Sequence, residues 1–124
     1  MTDALRRKAA GAFAADVVSI VLFTALGRRS HDEGGNAISG ALGVAAPFLL
    51  ALVVGWLVAR AWKNPTAAPT GMVIWVVTVA LGMVLRHFAW DRGTATAFII
   101  VASCFTLLFL VGWRLLWEWR ASRP

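Results

Sequence analysis

Asp16 is the residue of this sequence whose position most suggests chemistry. It lies inside an apolar stretch, from Ala9 to Leu26, that is long enough to form most of a membrane-spanning helix. A carboxylate at that depth is costly unless it is paired, protonated or hydrated, and such residues mark proton relays and ion pathways in transporters. Asp16 is therefore either a protonatable or cation-binding group inside a helical bundle, or a structural residue whose contacts fix the register of the helices.

Polar residues in the other apolar stretches supply candidate partners for Asp16. Ser19 is three residues further along, so it shares a helix face with Asp16. Arg114 lies near the predicted inner membrane boundary, from which its long side chain could reach toward Asp16, at a separation that leaves direct contact open. The predicted binding group consists of Asp16, Ser19, Thr78, Ser103, Thr106 and Arg114.

A second group of charged residues is predicted at the outer surface, where two polar connections meet if the chain forms four helices. Histidines and carboxylates are metal ligands, and arginines bind anionic groups. No ligand spacing of the HExxH kind is present, so we favour solvated loop charges with salt bridges over a metal site, a bis-histidine haem or a lipid-headgroup enzyme. This outer-face group consists of Arg28, His31, Asp32, Glu33, Arg86, His87 and Asp91.

The sequence offers no arrangement of nucleophile, base and orienting residue, so we assign no catalytic residue, no metal ligand and no cofactor. The net charge is +6. The basic residues lie beside apolar segments rather than in one patch, which argues against nucleic-acid binding and favours the lipid bilayer as their partner.

The elements that position these residues follow from the apolar blocks. Hydrophobic residues make up 60% of the 124 residues, and the charges are crowded into short breaks. This pattern predicts an all-α, four-helix integral membrane bundle in a single transmembrane domain spanning residues 1–124. The predicted helices cover approximately residues 9–27, 37–59, 70–86 and 94–117.

Two features of the second helix bear on packing. Pro47 removes a backbone donor inside the helix and is predicted to kink it. Ala51, Gly55 and Ala59 form a ridge of small residues at four-residue spacing, which favours close helix approach within the bundle or between two copies. A homodimer or a larger membrane complex is the corresponding expectation for partners.

The distribution of Lys and Arg predicts the orientation in the cell membrane. One side would carry eight, namely Arg6, Arg7, Lys8, Arg60, Lys63, Arg114, Arg120 and Arg123. The other side would carry four, namely Arg28, Arg29, Arg86 and Arg92. The excess of positive charge on the first side favours a multi-pass protein with both termini in the cytoplasm.

Four short motifs resemble a known family. They are D-x6-F-x3-GR-x-SH from Asp16 to His31, APF at Ala46–Phe48, G-x3-R at Gly82–Arg86 and GWR at Gly112–Arg114. Together they resemble the small four-helix membrane proteins of domain-of-unknown-function family 3054. The resemblance implies a four-helix membrane protein without an assigned activity, and it carries over no catalytic residue.

Two functional hypotheses follow from these observations. The first, which we favour from the sequence, is a small proton- or cation-linked transporter or channel that uses Asp16. The second is a non-catalytic accessory or binding subunit of a membrane complex, in which Asp16 is a structural register residue.

Overall fold

The computed structural model describes residues 2–30, 37–88 and 96–122. Every regular element in these ranges is helical, which confirms the all-α, four-helix prediction. The elements are α1 (Asp3–Ser30), α2 (Ala37–Ala59), a short 3-10 helix (Ala61–Lys63), α3 (Ala68–Phe88) and α4 (Thr96–Ala121).

The four helices form a closed bundle. Each helix packs against the next one in the chain, α1 also contacts α4, and the most extensive interface joins α2 to α3. Ala51 is fully buried and Gly55 is buried at the α2–α3 interface, where a Cβ on Gly55 would lie 3.3 Å from the carbonyl oxygen of Ile74. Ala51 and Gly55 of the small-residue ridge therefore pack inside the bundle, and a contact between two copies remains a prediction.

The surface of the bundle is apolar and its interior contains charge. Large apolar side chains such as Leu57 and Leu108 are 60% and 67% exposed, whereas Asp16 and Arg114 are fully buried. A surface with so many exposed apolar side chains is unfavourable in water and suits a lipid environment. Three segments are long and apolar enough to cross a membrane, namely Asp3–Ala25, Ala68–Phe88 and Ile99–Ala121, while the described apolar part of α2 is Ala45–Ala59.

Helix α1 begins earlier and ends later than the sequence prediction of residues 9–27. The backbone N–H of Leu5 donates to Thr2 Oγ1 at 3.1 Å, and Asp3 lies in the first turn. A side-chain cap and an acidic first turn both stabilise a helix N-terminus, so the polar leader is part of the helix. Helix α3 (Ala68–Phe88) extends beyond its predicted range of residues 70–86 at both ends, and α4 ends at Ala121 rather than near residue 117.

The connection between α2 and α3 turns sharply, and the carbonyl group of Pro65 in this connection is directed into the bundle. Arg60 has φ 51°, in the left-handed region, and ends α2 before the 3-10 helix. The hydroxyl of Thr70 donates to the carbonyl of Asn64 at 2.9 Å, and Pro65 is buried. Pro47 lies inside the continuous α2, and a kink there remains a prediction.

Candidate functional site

Asp16 lies at the centre of a buried cluster in which both of its carboxylate oxygens are fully used. The two terminal nitrogens of Arg114 donate to Oδ1 at 2.8 Å and to Oδ2 at 2.7 Å. Nε1 of Trp113 donates to Oδ1 at 2.9 Å, and Nε1 of Trp56 donates to Oδ2 at 2.8 Å. A carboxylate has about four acceptor positions, and here protein donors occupy all of them. We call Asp16, Trp56, Trp113 and Arg114 the charge cluster.

Arg114 is held by carbonyl groups as well as by its partner. Besides the two-pronged pairing with Asp16, its Nε donates to the carbonyl of Pro65 at 2.9 Å and its Nη1 donates to the carbonyl of Leu110 at 2.8 Å. The planar guanidinium matches a carboxylate in this geometry, which strengthens and orients the pair. The central guanidinium carbon also lies 4.4 Å from the ring centroid of Trp113, a cation–π contact.

The charge cluster takes its side chains from three helices and packs against the fourth. Asp16 comes from α1, Trp56 from α2, and both Trp113 and Arg114 from α4. Helix α3 contributes space rather than a side chain, because a Cβ on Gly71 would lie 2.7 Å from Cδ of Arg114.

The structure brings Asp16 together with Arg114 but not with the predicted hydroxyl residues. Ser19 and Thr106 donate to carbonyl groups of their own helices, those of Ala15 and Ala102, as hydroxyls in helices commonly do. Within the described ranges Thr78 is fully buried and its hydroxyl has no hydrogen-bond partner. Ser103 contributes its carbonyl, which accepts the N–H of Trp75 at 3.0 Å.

Most of the predicted outer-face group lies outside the described residues. This applies to His31, Asp32, Glu33 and Asp91, and the side chain of Arg28 is likewise not described. Arg86 is half-buried in the last turn of α3. His87 is exposed, and its ring meets that of Phe88 edge-on at 4.7 Å between centroids. Among residues 2–30, 37–88 and 96–122, no group of three or more His, Cys, Asp or Glu side chains is placed to hold a metal ion.

The binding group predicted from the sequence did not include Trp56 and Trp113. Their indole N–H groups were the available signal. A tryptophan inside an apolar helix must find an acceptor when it is buried, and Asp16 is a strong acceptor in the same region of the bundle. Trp56 is 7% exposed, and its ring packs edge-on against Phe13 at 5.2 Å.

Comparison with known proteins places this fold and cluster in a family context. A family model described as "Protein of unknown function (DUF3054)" matches residues 13–117, a range that contains the whole charge cluster. No curated protein and no solved structure matches the chain. Because the match covers well over half of the 124 residues, the chain belongs to the DUF3054 family of proteins of unknown function.

Proposed function

We propose that this protein is a non-catalytic accessory or binding subunit of a membrane complex, in which the charge cluster fixes the arrangement of the four helices. The observation that supports this proposal is the complete occupation of the Asp16 carboxylate by protein donors. A proton or cation can bind Asp16 only if it displaces Arg114 or an indole N–H. Such a carboxylate suits a fixed structural role better than reversible binding.

Transport is the second candidate, and one observation favours it. Asp16 and Arg114 place opposite charges within apolar helices, and ionisable groups inside membrane spans commonly line substrate or proton pathways. A proton- or cation-linked transporter would then use the paired state as its resting state. It would exchange Arg114 for the transported ion during each cycle.

The proposed location is the cell membrane, with both termini in the cytoplasm. Arg114 is buried and neutralised by Asp16, so it drops out of the charge count that supports this orientation. Seven basic residues then remain on the proposed cytoplasmic side against four on the other side, and the bias keeps its direction.

The two candidates differ in what purified protein does. The wild type is isolated in mild detergent and its co-purifying proteins are identified by mass spectrometry, while a parallel sample is reconstituted in liposomes and tested for proton and cation flux. We expect a stoichiometric partner and no flux. Recovery of the protein alone, together with flux in liposomes, would replace the accessory role with transport.

A further inference from the structure

A groove lined by aromatic, basic and small apolar side chains lies at the C-terminal end of α4. It has a volume of about 380 Å³ and is lined by Trp117, Arg120 and Ala121. Lys8 from α1 reaches the same place, since its Nζ lies 6.0 Å from the ring centroid of Trp117. Two neighbouring helices therefore each contribute a cation here, with Lys8 near the ring of Trp117 and Arg120 in the lining of the groove.

The polar groups at this groove have capacity to bind a ligand. Lys8 and Arg120 are exposed, and neither forms an ion pair with any of the described residues. The indole N–H of Trp117 likewise donates to no described residue. Glu118, the carboxylate next in sequence to Trp117, accepts the N–H of Ala68 at the start of α3 at 2.9 Å. The groove thus has positive charge and a spare donor.

Apolar surface continues from the groove along the membrane-spanning part of α4. Leu116 is 55% exposed and precedes Arg120 by four residues, so the two share a helix face. Tryptophan and basic side chains at the end of a spanning helix lie at headgroup level, and basic groups there attract anionic lipids.

We propose that this groove binds the headgroup of an anionic phospholipid. The phosphate lies between Lys8 and Arg120, the ring of Trp117 supports the glycerol region, and an acyl chain follows Leu116 toward the membrane centre. A phospholipid fits because the site combines cations at one end with exposed apolar surface at the other.

Native mass spectrometry of the full chain in detergent tests this site, with phosphatidylglycerol and phosphatidylcholine supplied in equal amounts. The wild type is expected to retain phosphatidylglycerol preferentially. The variants are Arg120→Gln alone and Lys8→Gln with Arg120→Gln, and each lost charge is expected to reduce the preference about fivefold. Lys63→Gln is the matched control, because Lys63 is an exposed cation in the α2–α3 connection and outside the groove.

The proposal is supported if the preference falls in both groove variants and persists in Lys63→Gln. It is overturned if the wild type retains both lipids equally, if the groove variants keep the wild-type preference, or if Lys63→Gln loses it to the same extent. The three substituted side chains are exposed, and circular dichroism checks that each variant keeps its helices. These outcomes are independent of whether the protein has a partner or supports flux.

Discussion

Asp16 and Arg114 form a fully buried ion pair. Both side chains have no exposed surface, and the separation between their nearest atoms is 2.7 Å. Removing one member of a buried pair leaves the other charge uncompensated and costs about 3–5 kcal/mol. The two indole donors stabilise the pair further, because they occupy the acceptor positions of the Asp16 carboxylate that Arg114 leaves open.

Replacing one indole donor tests their contribution at the residue scale. Trp113→Phe keeps an aromatic ring but removes the hydrogen bond to Oδ1 of Asp16. We expect the free energy of unfolding to fall by about 1.5–3 kcal/mol, as for hydrogen bonds to charged groups. The measurement is denaturation by SDS in mixed micelles, followed by circular dichroism. Trp117→Phe is the control, since Trp117 is 48% exposed, and an equal loss in both variants would argue against the assigned hydrogen bond.

Sequence reasoning could identify Asp16 as unusual and Arg114 as a candidate partner, but it could not place them in contact. The two residues are 98 positions apart, and their meeting depends on how α1 and α4 are rotated about their axes. Hydropathy leaves that rotation undetermined. The carbonyl of Pro65 is a further example, because it accepts from Arg114 across 49 positions and no sequence pattern predicts that contact.

At the scale of elements, glycines set how closely the helices approach. Gly82 of α3 faces Phe48 of α2, and a Cβ at this glycine would lie 2.7 Å from Cε1 of the ring. Phe48 is fully buried and its ring also meets Phe23 edge-on at 6.0 Å. The ring therefore has little room to move aside. The apolar blocks predicted the helices well, because their existence depends on composition, whereas these interhelical contacts depend on packing.

Two glycine substitutions separate packing from helix propensity. Gly82→Ala is expected to destabilise the fold by about 1–3 kcal/mol through overpacking against Phe48. Gly11→Ala places a methyl group in open space on α1, where nothing lies within 4 Å, and is expected to stabilise the helix by up to about 1 kcal/mol. The same SDS titration measures both. Similar stability of the two variants would show that α2 and α3 are not in close contact at Gly82.

At the scale of the whole molecule, polarity is arranged for lipid rather than for water. The buried set includes Asp16, Thr78 and Arg114, while α3 exposes residues such as Val76, which is 53% exposed. Composition predicted this arrangement because the apolar blocks leave few charges for the surface. The sequence alone did not reveal which small residues face inward and which apolar residues face outward.

A lysine on the exposed apolar surface of the bundle tests this arrangement of polarity. Val76→Lys places a charge near the middle of α3 and is expected to reduce the membrane-inserted fraction, at a cost of about 2.5–3.5 kcal/mol for a central position. Ala121→Lys, at the exposed end of α4, is expected to insert normally. The membrane fraction of cells expressing each variant is quantified by immunoblotting. Normal insertion of Val76→Lys would contradict a lipid-facing position for this residue.

Asp16 and Arg114 act as one structural unit, and a double-mutant cycle measures the coupling between them. Asp16→Asn, Arg114→Met and the double variant are unfolded by SDS in mixed micelles, and the free energies of unfolding are compared. The buried ion pair predicts a loss of about 3–5 kcal/mol for each single variant. It also predicts that the double variant loses less than the sum of the two by at least about 1 kcal/mol, because the residues are in contact. Additive losses, or an Asp16→Asn protein as stable as the wild type, would contradict it.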